Sequence, residues 1–150
     1  MVDRFERFSF AIMCISRYWH KIATEEMEKF GLKGPYAIYL TALYRYSDGI
    51  TAVKLGELCG KDKSDVSRTV TYMEKIGLVY KEGGRYRALI KLTDKGKQAA
   101  LHVHERAKVA VDMAGGSLNE QEREIMYNSL EQIAMNLHSI SEKGLPQINL

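Results

Sequence analysis

The sequence predicts a mainly α-helical fold with one small β-hairpin, and three observations carry that reading. Apolar residues recur at alternating steps of three and four over several long stretches, as one buried face of a helix requires. Two short strand-like runs flank Gly83-Gly84, and both glycines accept the positive φ of a tight two-residue turn. Only Pro35 and Pro146 interrupt the 150 residues, with no repeat, low-complexity tract or Pro/Ser linker. One domain over 1–150, with a core that needs neither disulfides nor metal, is therefore expected.

Taken in order, Phe5, Phe8, Ile12, Ile15, Trp19 and Ile22 form an unbroken seam on a first long helix. "FGLKGP" ends it, with Gly31 and Gly34 as breakers and Pro35 as a first-turn residue of the next helix. That helix, "PYAIYLTALYRY", is apolar nearly all round and is expected to be buried. "SDG" turns the chain, and Thr51 is placed to cap "AVKLGELC", with Leu55 and Leu58 inward and Gly60 closing the helix. Asp62 or Ser64 caps a further helix over 63–76, where Val66, Val70 and Met73 share one stripe.

Gly77 ends that helix before a hairpin over 78–93. In its second strand Tyr86, Ala88, Ile90 and Leu92 alternate with Arg85, Arg87 and Lys91, giving an apolar and a cationic face, with Leu89 the exception. Thr93 starts a helix whose Ala100, Val103, Ala107, Ala110 and Ala114 permit close approach of another helix. "GGSLNE" interrupts it, and Ser117 with Glu120 has the spacing of a capping box. Met126, Leu130, Ile133, Leu137 and Ile140 form the seam of a last helix, and the tail 145–150 carries no signal.

The net charge is only +3, but its distribution is uneven. Between Lys61 and Lys97 ten Lys/Arg face five acids, a surplus of five, which leaves the remainder of the chain at −2. A slightly acidic body with one basic segment is the footprint of a part that faces a polyanion. Charges at positions 3, 4, 6 and 7 break the apolar stretch a signal peptide needs, and no run reaches membrane-spanning length. Two cysteines, Cys14 and Cys59, make no disulfide framework. A cytoplasmic protein without membrane association is expected.

At about 100° per residue, Ser64, Arg68, Thr71 and Lys75 point away from the stripe of Val66, with Asp65, Ser67 and Tyr72 flanking them. Such a face is narrow and short-limbed. An α-helix fits the major groove of DNA, where Ser and Thr hydroxyls meet base edges or phosphates and Arg holds guanine with two bonds. Short helix, turn "GKDK", second helix and cationic hairpin together make a winged helix-turn-helix, in which the second helix reads the groove and the hairpin reaches adjacent backbone.

"ITAVKLGELCGKDKSDVSRTVTYMEKIGLVYKEGGRYRALIKLTDKG", positions 50–96, resembles the DNA-binding core of the MarR (multiple antibiotic resistance regulator) family. The likeness rests on the "KS-VSR" start of the reading helix, "GLV" before the wing and "LTDKG" after it. It implies a transcriptional regulator, usually a repressor released from double-stranded DNA by a small ligand or by oxidation. It also implies dimerisation helices at 1–34 and 94–144 around a winged-helix core at 35–93. DNA contacts then fall to Lys61, Lys63, Ser64, Asp65, Ser67, Arg68, Thr71, Tyr72, Lys75, Arg85 and Arg87. The family often has Asp-x-Arg at the wing tip, whereas "EGGRYR" lacks the Asp, so the wing arginine is either Arg85 or Arg87; Lys61 stands where an apolar residue is common.

Two terminal helices with apolar seams and a small-residue helix between them exceed what one small winged helix covers, so a homodimer is expected. It would read a near-palindromic site with half-sites roughly 10 bp apart or a multiple. Members of the family bind aromatic acids near the reading head, and the likeness puts Arg17, Trp19, His20, Tyr36 and Tyr39 in that region, a site for a small aromatic or anionic effector. In the peroxide-sensing branch the reactive cysteine aligns near Ser9, so Cys14 reads as a small hydrophobe, with redox sensing through it as the alternative. His102 and His104 diverge by about 200° on a helix and cannot chelate together, so no metal and no cofactor are expected. No phosphate loop, zinc spacing or Ser/His/Asp set supports an enzyme. A winged helix used as a protein-interaction module is the alternative from a different class.

Overall fold

In a computed structural model, described for residues 3–147, the chain forms six helices and a three-stranded antiparallel sheet. They are α1 (Arg4–Lys29), α2 (Tyr36–Arg45), β1 (Ile50–Thr51), α3 (Ala52–Cys59), α4 (Lys63–Lys75), β2 (Val79–Glu82), β3 (Leu89–Leu92), α5 (Asp94–Ala114) and α6 (Glu120–Lys143). The chain divides into two compact units, one up to Lys108 and one from Val109. Residues 148–150 of the expected tail lie outside the described residues.

The core belongs to the first unit. Leu40, Leu43, Leu55, Val66, Val70, Met73, Leu78 and Ile90 are buried together, with Met27 from the end of α1 and Ala99 and Ala100 from α5. The starts of α3 and α4 are set by side-chain caps. Thr51 accepts a bond from the Lys54 amide and caps α3, and Gly60 closes it in a left-handed conformation at φ 62°. Asp62 caps α4 by accepting from the Asp65 amide at 2.8 Å, which decides between the two expected candidates.

Thr93 joins two elements. Its hydroxyl donates to the Gly77 carbonyl at 2.5 Å and accepts from the Gly96 amide at 3.0 Å, tying the first turn of α5 to the exit of α4. Gly96 is buried against the backbone there: a Cβ at this position would sit 1.9 Å from the Leu78 carbonyl oxygen. The "LTDKG" motif is thus a cap followed by a close backbone approach.

Several expectations are corrected. The hairpin does not turn at Gly83-Gly84: the last pair is Glu82 with Leu89, which leaves a loop of residues 83–88. Gly83 (φ 103°) and Arg87 (φ 62°) shape that loop, and Tyr86 there is 90% exposed because no core lies beneath it. The sheet gains a strand, β1, which pairs Ile50 with Ile90. Leu58 points outward while Leu55 and Cys59 fill the inner face of α3, and α2 buries one side only, leaving Ile38 and Tyr44 exposed. In the second unit the capping box of α6 is Asn119 with Glu122, two residues after the expected pair; side chain and backbone bonds run both ways at 2.9 Å.

Candidate nucleic-acid interface

The candidate surface is built on α4, whose inner stripe of Val66, Val70 and Met73 fixes the rotation of the helix. With that stripe inward, Lys63, Ser64, Ser67, Arg68, Thr71 and Lys75 are all exposed, as is Lys61 before the cap. Two of the flanking residues have other partners. The Tyr39 hydroxyl donates to Asp65 Oδ1, and Thr69 Oγ1 stands 3.5 Å from the same oxygen. The Tyr72 ring stacks on Tyr36 at 5.4 Å between centroids, and the Lys33 ammonium lies 5.4 Å from its centre.

Beside α4 an open, largely apolar cleft of about 590 Å³ runs between α3, α4 and the hairpin. Lys61, Lys63 and Ser67 line it together with Lys81 from β2, so the start of α4 and the root of the hairpin share one depression. Lys81 was hidden in the sequence because its strand position says nothing about which neighbour it meets. Lys33 was hidden for a similar reason, being far from Tyr72 in sequence although close to it in the fold.

The cations divide into two groups. Lys81 pairs with Glu74 at 3.5 Å and Lys91 with Glu82 at 2.8 Å, and the latter pairing raises the Lys91 pKa. Among the described residues Lys61, Lys63, Arg68, Lys75, Arg85 and Arg87 take part in no ion pair. Arg85, Tyr86 and Arg87 are exposed together in the loop of residues 83–88. Cations without protein partners keep their full charge for an external anion.

The residues expected around an effector divide between surface and core. Arg17, Trp19 and His20 are exposed on α1. There Arg17 donates to the Tyr18 hydroxyl at 3.2 Å, with Cys14 Sγ at 4.0 Å, and His20 Nδ1 lies 2.6 Å from the Ser16 carbonyl. Tyr36 and Tyr39 are buried, and burial raises both phenol pKa values. No hydrogen bond or stacking contact among the described residues joins the two groups. Cys14 is half-buried, and Cys59 is buried with its thiol pushed up to about 11 by loss of solvent. His102 stacks on Phe30 at 4.7 Å and His104 on Tyr44 at 5.1 Å, so the two imidazoles serve different contacts. Among the described residues no helix is long and apolar enough to cross a membrane.

A short helix, a turn, a second helix with an exposed polar face and a hairpin beside it define a winged helix-turn-helix protein. Residues 30–85, from the end of α1 into the wing loop, match the model of the MarR family. Solved structures agree on the fold. A MarR transcriptional regulator from Methanosarcina mazei Go1 is similar at a TM-score of 0.82 and 24% identity, over 93% of this chain and 94% of that one. A MarR-family regulator from Listeria monocytogenes in complex with a 26mer DNA is similar at 0.82 and 23%, over 99% of both chains. The MepR–DNA complex of Staphylococcus aureus is similar at 0.75 and 22%, over 87% of this chain and 97% of that one. No curated protein matches the chain.

Proposed function

We propose that the chain is a sequence-specific, DNA-binding transcriptional regulator of the MarR type, which places helix 63–76 in the major groove and the wing of residues 78–93 on flanking backbone or minor groove. The observation that carries this reading is the set of six cations on and around α4 and in the wing loop that, among the described residues, have no carboxylate partner. Two of the similar structures hold DNA, which supports the same use of the fold here.

Dimerisation is part of the proposal. Along α1 the seam is left in water, with Phe5 72% and Ile15 61% exposed, and α6 has no buried residue at all. Apolar helix faces of this extent call for a partner, and a second copy supplies two reading helices for a near-palindromic site. Repression in the cytoplasm, relieved by a small aromatic or anionic molecule, completes the reading, with Arg17, Trp19 and His20 as its exposed candidates.

Selection from a random duplex pool tests the core of it. A near-palindromic consensus is expected, with log affinity falling against log salt by about 0.9 per phosphate neutralised. A flat salt response with no enriched sequence would favour a protein-interaction module. Light scattering at micromolar concentration is expected to give twice the chain mass, and a monomer would remove the dimer.

A further inference from the structure

An acid on a helix that faces DNA is a liability, and Asp65 is such an acid. Arg68 lies three residues on, a spacing at which Asp and Arg meet on a helix surface. Yet Arg68 forms no ion pair with it. The reason lies in α2. Tyr39 is 1% exposed, and a buried phenol must place its hydroxyl on a partner. It donates to Asp65 Oδ1, with the Thr69 hydroxyl at 3.5 Å from the same atom. Asp65 in turn is only partly exposed, whereas Ser64, Ser67, Arg68 and Thr71 around it are open to solvent.

We propose that Tyr39 is a positioning residue for the reading helix: its hydroxyl, fixed in the core on α2, holds the Asp65 carboxylate away from Arg68 and so leaves the guanidinium available to DNA. Asp65 is then neither a base-reading nor a phosphate-facing group. Its charge is used inward, where it satisfies a buried donor and ties α4 to α2. The inference rests on the DNA-binding reading for its consequence, but not for its geometry.

The test uses the full chain with Tyr39→Phe, Asp65→Asn and the double variant, each checked for a cooperative thermal transition. Two readouts are taken: affinity for the duplex selected from the random pool, and the Arg68 Nε–H signal in ¹⁵N NMR without DNA. In Tyr39→Phe the released carboxylate pairs with Arg68, so affinity falls about tenfold and the Nε–H signal shifts and exchanges more slowly with water. Asp65→Asn alone, which keeps an acceptor for Tyr39, binds within about threefold of wild type. The double variant regains that level, which loss of structure alone would not allow. An unchanged Nε–H signal in Tyr39→Phe overturns the proposal whatever the DNA result, as does a double variant that binds as weakly as Tyr39→Phe. Wild type that binds no duplex refutes the function reading instead, and the NMR comparison still decides the role of Tyr39. Should Tyr39→Phe fail to fold, Asp65→Asn decides: binding about tenfold tighter than wild type shows the carboxylate already facing DNA and overturns the proposal.

Discussion

Replacing Gly96 by alanine sets two effects of opposite sign against each other. Gly96 lies in the first turn of α5, and exchanging a helical glycine for alanine elsewhere gains about 1 kcal/mol of stability. Here the added Cβ would meet the Leu78 carbonyl oxygen at 1.9 Å and its carbon at 2.9 Å. Both are backbone atoms, so no rotamer change relieves the overlap. The helix must retreat by more than an ångström, while Leu78 O is held by the Thr93 amide at 3.0 Å and the Leu78 side chain is fully buried. Overpacking of this kind costs about 1–3 kcal/mol, and the strained Thr93 bond adds about 1. Even after the helix-propensity gain, Gly96→Ala is expected to lose about 1–3 kcal/mol. With a urea m-value of about 2 kcal/mol/M, the unfolding midpoint should drop by roughly 1 M, against almost no change for Lys97→Ala on the exposed side of the same turn. A variant that unfolds at the wild-type urea concentration or above would refute the claim that α5 is seated by direct backbone contact.

Other consequences are open to measurement. Asp62→Ala removes the side-chain cap of α4 and is expected to cost about 1 kcal/mol in the same denaturation assay, with faster amide exchange confined to the start of that helix. Glu26 receives Lys29 at 2.8 Å and Arg106 at 2.9 Å, and the Arg106 bond first, then that of Lys29, lowers its pKa from 4.5 to about 2. Because the folded value is depressed, this stabilisation is present above the ordinary carboxylate range and is lost as pH falls toward about 2; Glu26→Gln should therefore flatten the melting temperature across that interval. Cys59, with its thiol raised to about 11, should alkylate far more slowly than half-buried Cys14 at pH 8, as peptide mass mapping after iodoacetamide would show.

Helix α4 was legible in the sequence because its signals are local. Val66, Val70 and Met73 repeat at helical spacing, Asp62 precedes them by the interval a cap needs, and Gly60 closes the helix before. The outward direction of Ser64, Arg68, Thr71 and Lys75 follows from that stripe alone. What local pattern does not contain is which distant group answers each side chain. β1 is two residues long and exists only because Ile90 offers a partner, and Asp65 turns inward only because Tyr39, 26 residues earlier, ends beneath it. Leu58 has the same composition signal as Leu55 but falls on the other side of a short helix. The capping box of α6 slipped for a different reason: Ser117-x-x-Glu120 and Asn119-x-x-Glu122 have the same spacing, and in the fold it is the second that closes with both bonds.

The hairpin closes four residues later than its glycines suggest, and four is an even number. Strand side chains alternate with a period of two, so Ile90 and Leu92 keep their inward direction although the register has moved. The loop of residues 83–88 thus behaves as a telescoping section on a fixed root. Lengthening or shortening it would carry Arg85, Tyr86 and Arg87 farther from or nearer to the sheet, and the hydrophobic seat of the sheet would stay untouched.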